Sequence, residues 1–138
     1  MNNEREIKFR AWDKDKEEML TPDMSEWCIN FENGGIDVLE SNMNFSTQED
    51  CYISIENYEL MEFTGLKDKN GKEIYEGDIL ECDWNDTRYP IHNIGPVKWD
   101  NRNACWRLGE GGTAKDDAEN HFKVIGNIYE NPELLTKL

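Results

Sequence analysis

MEFTGLKDKNGKEIYEGDILECDW, residues 61–84, decides the fold. At its centre Asn70-Gly71 lies among charged residues. A two-residue hairpin bend needs φ > 0 at both central positions, and Asn followed by Gly meets that need with least strain. Apolar residues resume at Ile74 and Tyr75, and a second turn signal follows at Glu76-Gly77-Asp78. Beyond it Leu80, Cys82 and Trp84 alternate with Glu81 and Asp83, a period of two that points one face inward. Turns between short alternating runs predict antiparallel strands, so the expected fold class is mainly β.

The same pattern extends toward the N-terminus. Ile7, Phe9 and Ala11 share one face of a predicted strand, with Lys8, Arg10 and Trp12 on the other. Asp13 to Lys16 reads as a polar turn, and Met19-Leu20 opens a returning strand. Trp27, Ile29 and Phe31 alternate, Asn33-Gly34-Gly35 turns, and Ile36, Val38 and Leu39 resume, which predicts a hairpin from Trp27 to Leu39. Residues 40–50 read as a loop, and Cys51 to Ile55 and Tyr58 to Phe63 as short strands.

Toward the C-terminus, residues 85–93 form a polar stretch and Gly95-Pro96 opens a strand with Val97 and Trp99 on one face. Asp100 to Asn103 is a turn. Ala104, Trp106 and Leu108 face inward on the next strand, and the Gly- and Asp-rich residues 109–120 read as a loop. Phe122, Val124 and Ile125 return to the core. Asn131, Pro132 and Glu133 have the order of cap, first helical position and acidic first turn, so a short helix is expected over the final Leu residues. The strands recurring from Glu59 onward suggest a small antiparallel barrel. The division is placed between residues 1–58, an N-terminal β-hairpin region packed on the barrel, and residues 59–138, the barrel with its terminal helical turn.

With 37% hydrophobic and 33% charged residues, the 138-residue chain must build its core from few, large side chains. Five Trp, five Tyr and five Phe supply them. Thirty acidic residues against fifteen basic ones give a formal net charge of −15. Such a surface repels phosphate backbones and anionic membranes, which disfavours nucleic acid and membrane as partners. No apolar run is long enough to span a membrane, and Met1-Asn2-Asn3-Glu4-Arg5-Glu6 lacks a secretory apolar region, so a cytoplasmic location is expected. Cys28, Cys51, Cys82 and Cys105 form no Cys-x-x-Cys pair and are expected as buried thiols, with no metal or disulfide framework.

Three blocks carry a resemblance: Arg5 to Asp13 (REIKFRAWD), Met61 to Ile79 (MEFTGLKDKNGKEIYEGDI) and Ile125 to Leu135 (IGNIYENPELL). In this order, spanning nearly the whole chain, they resemble the YopX family of phage and prophage proteins. The resemblance implies a mostly β protein with an SH3-like small barrel in its C-terminal part, and a bacteriophage or prophage origin. It implies no activity, cofactor or catalytic residue.

Several polar and aromatic residues admit both a functional and a structural role. Glu76 and Asp78 beside Tyr75 can form a binding surface, or Asp78 can accept backbone N–H bonds in the turn. Asp13, Asp15 and Glu17 are spaced like the first ligands of a calcium loop, but Glu18 stands where that loop needs Gly and Met24 where it needs its closing Glu. Asp116, Asp117 and Glu119 read as an ordinary acidic loop. His92 and His121 are the only histidines, in no zinc spacing and with no Gly-x-Ser-x-Gly elbow in the chain. Trp84, Trp99 and Trp106 read as core, whereas Trp12 lies opposite Ile7, Phe9 and Ala11 and is the leading interface candidate. The expected interface is thus Trp12, Tyr75, Glu76 and Asp78.

The function expected is that of a non-enzymatic phage or prophage accessory protein, with no cofactor. It would bind an unidentified host or phage protein in the bacterial host cell through an acidic, aromatic surface. Self-association as a homo-oligomer through exposed strand edges is compatible with that. The alternatives are a nucleic-acid-binding barrel, for which Lys67, Lys69 and Lys72 are the one close basic cluster, and an acidic DNA mimic, whose carboxylates would lie in two rows at phosphate-like spacing.

Overall fold

The structure, a computed structural model, describes residues 6–24, 27–30, 32–39, 52–82, 94–108, 112–113 and 121–137. Expectations for Phe31, Cys51, Trp84, His92, Asp116, Asp117 and Glu119, and for the stretches 40–50 and 85–93, lie outside the described residues. The fold is mainly β, with twelve strands and one 3-10 helix among the described residues. It divides into two compact units, Phe9–Leu60, and Met1–Lys8 with Met61–Leu138. The division thus falls after Leu60, two residues past the expected boundary, and the residues before Phe9 belong with the C-terminal stretch.

In the unit Phe9–Leu60, β1 (Phe9–Asp13) pairs antiparallel with β2 (Glu18–Leu20), with Ala11 opposite Leu20 and Trp12 opposite Met19. β3 (Trp27–Ile29), β4 (Ile36–Leu39) and β5 (Tyr52–Ile55) form a three-stranded antiparallel sheet in that order, including the expected Trp27–Leu39 hairpin. Ala11, Leu20, Ile36 and Val38 form the core, flanked by Met24, Trp27, Ile55, Tyr58 and Leu60. The Trp27 indole N–H donates to the Thr21 carbonyl at 2.7 Å, so its polar edge is satisfied as its ring packs. The inward face expected from Ile7 to Ala11 holds only in part. Ile7 precedes β1 and is 67% exposed, while Arg10 and Asp13 are buried.

β6 (Tyr58–Lys67) leads from this unit into the second. There its end pairs with β7 (Glu73–Tyr75), with Phe63 opposite Tyr75 and Lys67 opposite Glu73. Between those pairs the ladder is irregular at Gly65, whose φ of 84° a side chain would resist. The Thr64 hydroxyl fills the gap, donating to the Ile74 carbonyl at 2.7 Å and accepting from the Leu66 N–H at 3.1 Å. The loop that follows is wider than the expected two-residue bend. Gly71 N–H donates to the Asp68 carbonyl, Asp68 N–H donates to the Lys72 carbonyl, and only Gly71 has positive φ, 81°. This is a turn closed by a left-handed glycine, as in three-residue hairpin loops.

A five-stranded antiparallel sheet completes the unit. β8 (Asp78–Cys82), β9 (Ile94–Asp100), β10 (Cys105–Leu108), β11 (Gly112–Thr113) and β12 (Phe122–Asn127) lie in the order β11-β10-β9-β8-β12. β11 falls within residues expected as loop, where two residues of pairing leave no periodicity to read. The core holds Ile74, Leu80, Cys82, Val97, Trp106, Leu108, Phe122 and Val124. The chain ends in a 3-10 helix, Pro132–Lys137, with Leu134 N–H donating to the Asn131 carbonyl three residues back. The Asn131 side chain does not cap it. Its Oδ1 accepts from the Asn127 N–H at 3.3 Å, on the strand side.

Candidate functional site

The β9–β10 hairpin carries the most site-like group of side chains. Asp100 builds its loop. One carboxylate oxygen accepts from the Arg102 and Asn103 backbone N–H groups at 2.9 and 3.3 Å. The other accepts from the Asn103 amide at 2.9 Å and from Arg107 Nε and Nη2, both at 2.8 Å. Led by the Asn103 amide and Arg107, these donors hold the Asp100 carboxyl at a pKa of about 2, below the usual 3.8. Ala104, at φ 49°, closes the loop onto Cys105, the partner of Asp100.

The β1–β2 hairpin repeats this design. Asp13 Oδ1 accepts from the Asp15 and Lys16 N–H groups at 3.0 and 3.2 Å, and Glu17 has φ 52°. Each loop follows a Trp-Asp pair, Trp12-Asp13 and Trp99-Asp100, and each Trp faces the residue seven positions on, Met19 or Trp106. The loop residues between differ in sequence, because the geometry needs only the aspartate acceptor and one residue that tolerates left-handed backbone.

Trp99 stands where the core of this hairpin ends. Val97 and Leu108 are opposite one another and buried, and the next pair outward on the same face is Trp99 with Trp106. Trp106 is buried, and its ring meets Trp99 edge-on, with centroids 5.0 Å apart and planes at 72°. Trp99 is left 42% exposed. Pro96, Lys98, Asp100 and Arg107, with Trp99, Asn101 and Arg102, line a shallow cleft of about 470 Å³ around the hairpin tip. Three cations face one carboxylate there, the reverse of the chain's overall balance. Lys98 and Arg102 make no ion pair among the described residues.

The YopX protein family model matches residues 8–136. This chain belongs to the YopX family. A crystal structure of protein EF1440 from Enterococcus faecalis is similar, at 30% identity over 96% of this chain and 99% of that one, with a TM-score of 0.53. The X-ray structure of protein yopX from Bacillus subtilis shares the fold at 23% identity, over 91% of this chain and 95% of that one, with a TM-score of 0.55. No curated protein matches the sequence.

Of the expected interface residues in this YopX-family chain, two are interior. Tyr75 and Asp78 are buried, at 6% and 1% exposure, and Asp78 Oδ2 accepts the Tyr75 N–H at 2.7 Å. Both serve the turn between β7 and β8, and the Tyr75 ring lies 5.4 Å from that of Phe63. Glu76 is half-buried, and its N–H donates to the Glu62 carbonyl. Trp12 is half-buried in the other unit. Trp99, expected in the core, is the exposed tryptophan among the described residues. Its alternation with Lys98 and Asp100 gave its face of the strand, but not that the core ends before it. Cys82 is buried as expected, whereas Cys28 is exposed and Cys105 intermediate. Among the described residues no three His, Cys, Asp or Glu side chains come together to hold a metal ion. No helix of the described residues is long and apolar enough to cross a membrane.

Proposed function

We propose that this YopX-family chain is a phage- or prophage-encoded accessory protein that works in the bacterial cytoplasm by binding another protein, without catalysing a reaction. Its C-terminal unit is read as an SH3-like small barrel. The support for that is the meander β8-β9-β10-β11, with the last strand, β12, returning to pair with β8. The observation that carries the binding reading is Trp99, a large ring left 42% exposed yet braced by Trp106 on the strand that leads into the loop fixed by Asp100. Aromatic side chains that are ordered before contact lose little entropy on binding and dominate interface energetics. The acidic surface keeps the free protein soluble and selects against polyanions. Imitation of DNA gains no support from Asp13, Asp68, Asp78 and Asp100, whose oxygens are committed to the chain's own N–H groups.

Affinity capture from infected host cells with tagged protein tests the reading. A specific protein should be retained by the native chain and by Trp12→Ala, and lost with Trp99→Ala. Retention of no phage or host protein above background would remove the proposal.

A further inference from the structure

We propose that β3 is a pairing edge through which two copies of this chain join their three-stranded sheets, antiparallel about a two-fold axis at Cys28. The inference goes beyond the binding reading above, since β3 belongs to the unit Phe9–Leu60 and Trp99 to the other. The β3–β4 register fixes what this edge offers. Asn30 N–H donates to the Gly35 carbonyl, and Gly34 N–H donates to the Asn30 carbonyl, both at 2.8 Å, so the backbone groups of Asn30 turn toward its own hairpin. Hydrogen-bonding direction alternates along a strand. The groups of Cys28, opposite Asp37, therefore turn the same way, and those of Trp27 and Ile29 turn outward. Among the described strands β3 pairs with β4 alone. A second β3 laid antiparallel, Trp27 against Ile29, closes two pairs of backbone hydrogen bonds. It also sets Cys28 against Cys28 of the second copy at a non-hydrogen-bonded position. Cα atoms there stand about 4.5 Å apart, within the roughly 4.4–6.8 Å that a disulfide spans, and Cys28 is exposed.

Charge and capping single out this edge. Charged side chains, short length and side-chain caps all discourage strand addition. β2 and β7 begin with Glu18 and Glu73, and the Tyr75 N–H is taken by Asp78. β11 has two residues. On β12, Asp68 takes the Val124 N–H, and Lys69 N–H donates to the Phe122 carbonyl. β5 is uncharged, but a two-fold centred on Ile53 would set Asp50 against Glu56 by position in the sequence, acid on acid. The two-fold at Cys28 sets Glu26 against Asn30, an acid on an amide. Asp37, the acid opposite Cys28, is turned to the Asn30 amide at 3.0 Å and the Ser54 hydroxyl at 2.7 Å. Trp-Cys-Ile thus lets two copies of a chain of net charge −15 approach without opposing like charges on the shared strands.

The test is sedimentation velocity of the full chain over a concentration series in reducing buffer. The native chain should pass from monomer to dimer. Cys28→Ser should associate as the native chain does, because hydrogen bonds and not the thiol hold the pair. Ile29→Pro removes one outward N–H from each copy and leaves the β3–β4 ladder, since an edge strand accepts Pro where its N–H faces solvent. With circular dichroism and melting temperature unchanged at dilutions where the native chain is monomeric, it should weaken association by about tenfold or more. Diamide, which is reduced as two thiols give up two electrons and two protons, should trap the native dimer through a Cys28–Cys28 disulfide. Mass spectrometry of an unreduced digest identifies that link, and Cys28→Ser should lack it. The trap leaves the backbone unaltered, so it decides the matter even if Ile29→Pro fails to fold. A monomer at every concentration, a dimer indifferent to a folded Ile29→Pro, or a dimer that diamide does not link through Cys28 would overturn the inference. A monomer whose captured host or phage partner is lost with Ile29→Pro would give the edge to a foreign strand instead.

Discussion

Aspartates do much of the folding work in this chain, and Asp68 shows how. It is 3% exposed. One oxygen accepts from the Asn70 and Lys72 N–H groups at 2.8 and 2.9 Å, and the other from the Val124 N–H at 2.9 Å. A single side chain thus shapes the β6–β7 loop and fastens it to β12. Asp68→Ala leaves three N–H groups without that acceptor and should cost about 3 kcal/mol by urea denaturation. A loss below about 1 kcal/mol would mean that water replaces the carboxylate freely. Ala104 has the opposite problem, a side chain held at φ 49°. Ala104→Gly should raise stability by about 0.5–1 kcal/mol, and an unchanged or lower midpoint would show that the loop is not strained there. Neither role was legible in the sequence. Asp68 sits in a run of charges and its third partner lies 56 residues away, so no local pattern distinguishes it from a solvated turn residue.

Among the elements, the alternating strands could be read and their interruptions could not. The period of two located β1, β8, β9, β10 and β12, because a pleated strand with one buried face writes that period into its sequence. The wider Asp68–Lys72 loop depends on the Asp68 carboxylate and on Lys69 N–H donating to the Phe122 carbonyl at 2.9 Å. The pairing of β12 with β8 shifts register between Val124 and Gly126. There the Asn131 side chain lies against the strand, and a Cβ built on Gly126 would stand 2.5 Å from its Oδ1 and 2.9 Å from its Cβ. Gly126→Ala should therefore destabilise by about 2 kcal/mol, as overpacking does. In an Asn131→Gly background, which removes the whole obstacle, the same substitution should cost much less in a double-mutant cycle. An equal cost in both backgrounds would refute the contact.

Acid should reveal which carboxylates the whole molecule relies on. Burial opposes the charge of Asp68, but the N–H groups of Val124, Lys72 and Asn70 outweigh it and hold its pKa below 3.8. A carboxyl lowered in the folded state stabilises above its unfolded pKa, and that stability is lost as pH falls through the folded value. The stability difference between the native chain and Asp68→Asn should therefore be constant above about pH 5 and shrink progressively below pH 4. The contribution of Asp100, whose folded value is about 2, should begin to fall at the same unfolded pKa and be largely lost by about pH 2. Comparing variants at each pH cancels the relief of self-repulsion that protonating a chain of net charge −15 brings. A difference that persists unchanged to pH 2 would mean that the Asp68 hydrogen bonds do not depend on its charge.

By itself the sequence determined the β class, the family, most strand positions and the sign of the molecule's charge. These are written in short-range periodicity, turn residues and composition, which need no knowledge of what lies across the sheet. Only the tertiary structure decided that Tyr75 and Asp78 are interior and that Trp99 is not. It also gathered Lys98, Arg102 and Arg107 into one cleft. Burial depends on where a core ends, and a cleft depends on which strands meet at its edge. The first is set by contacts between residues distant in the chain, the second here by the register of a single hairpin.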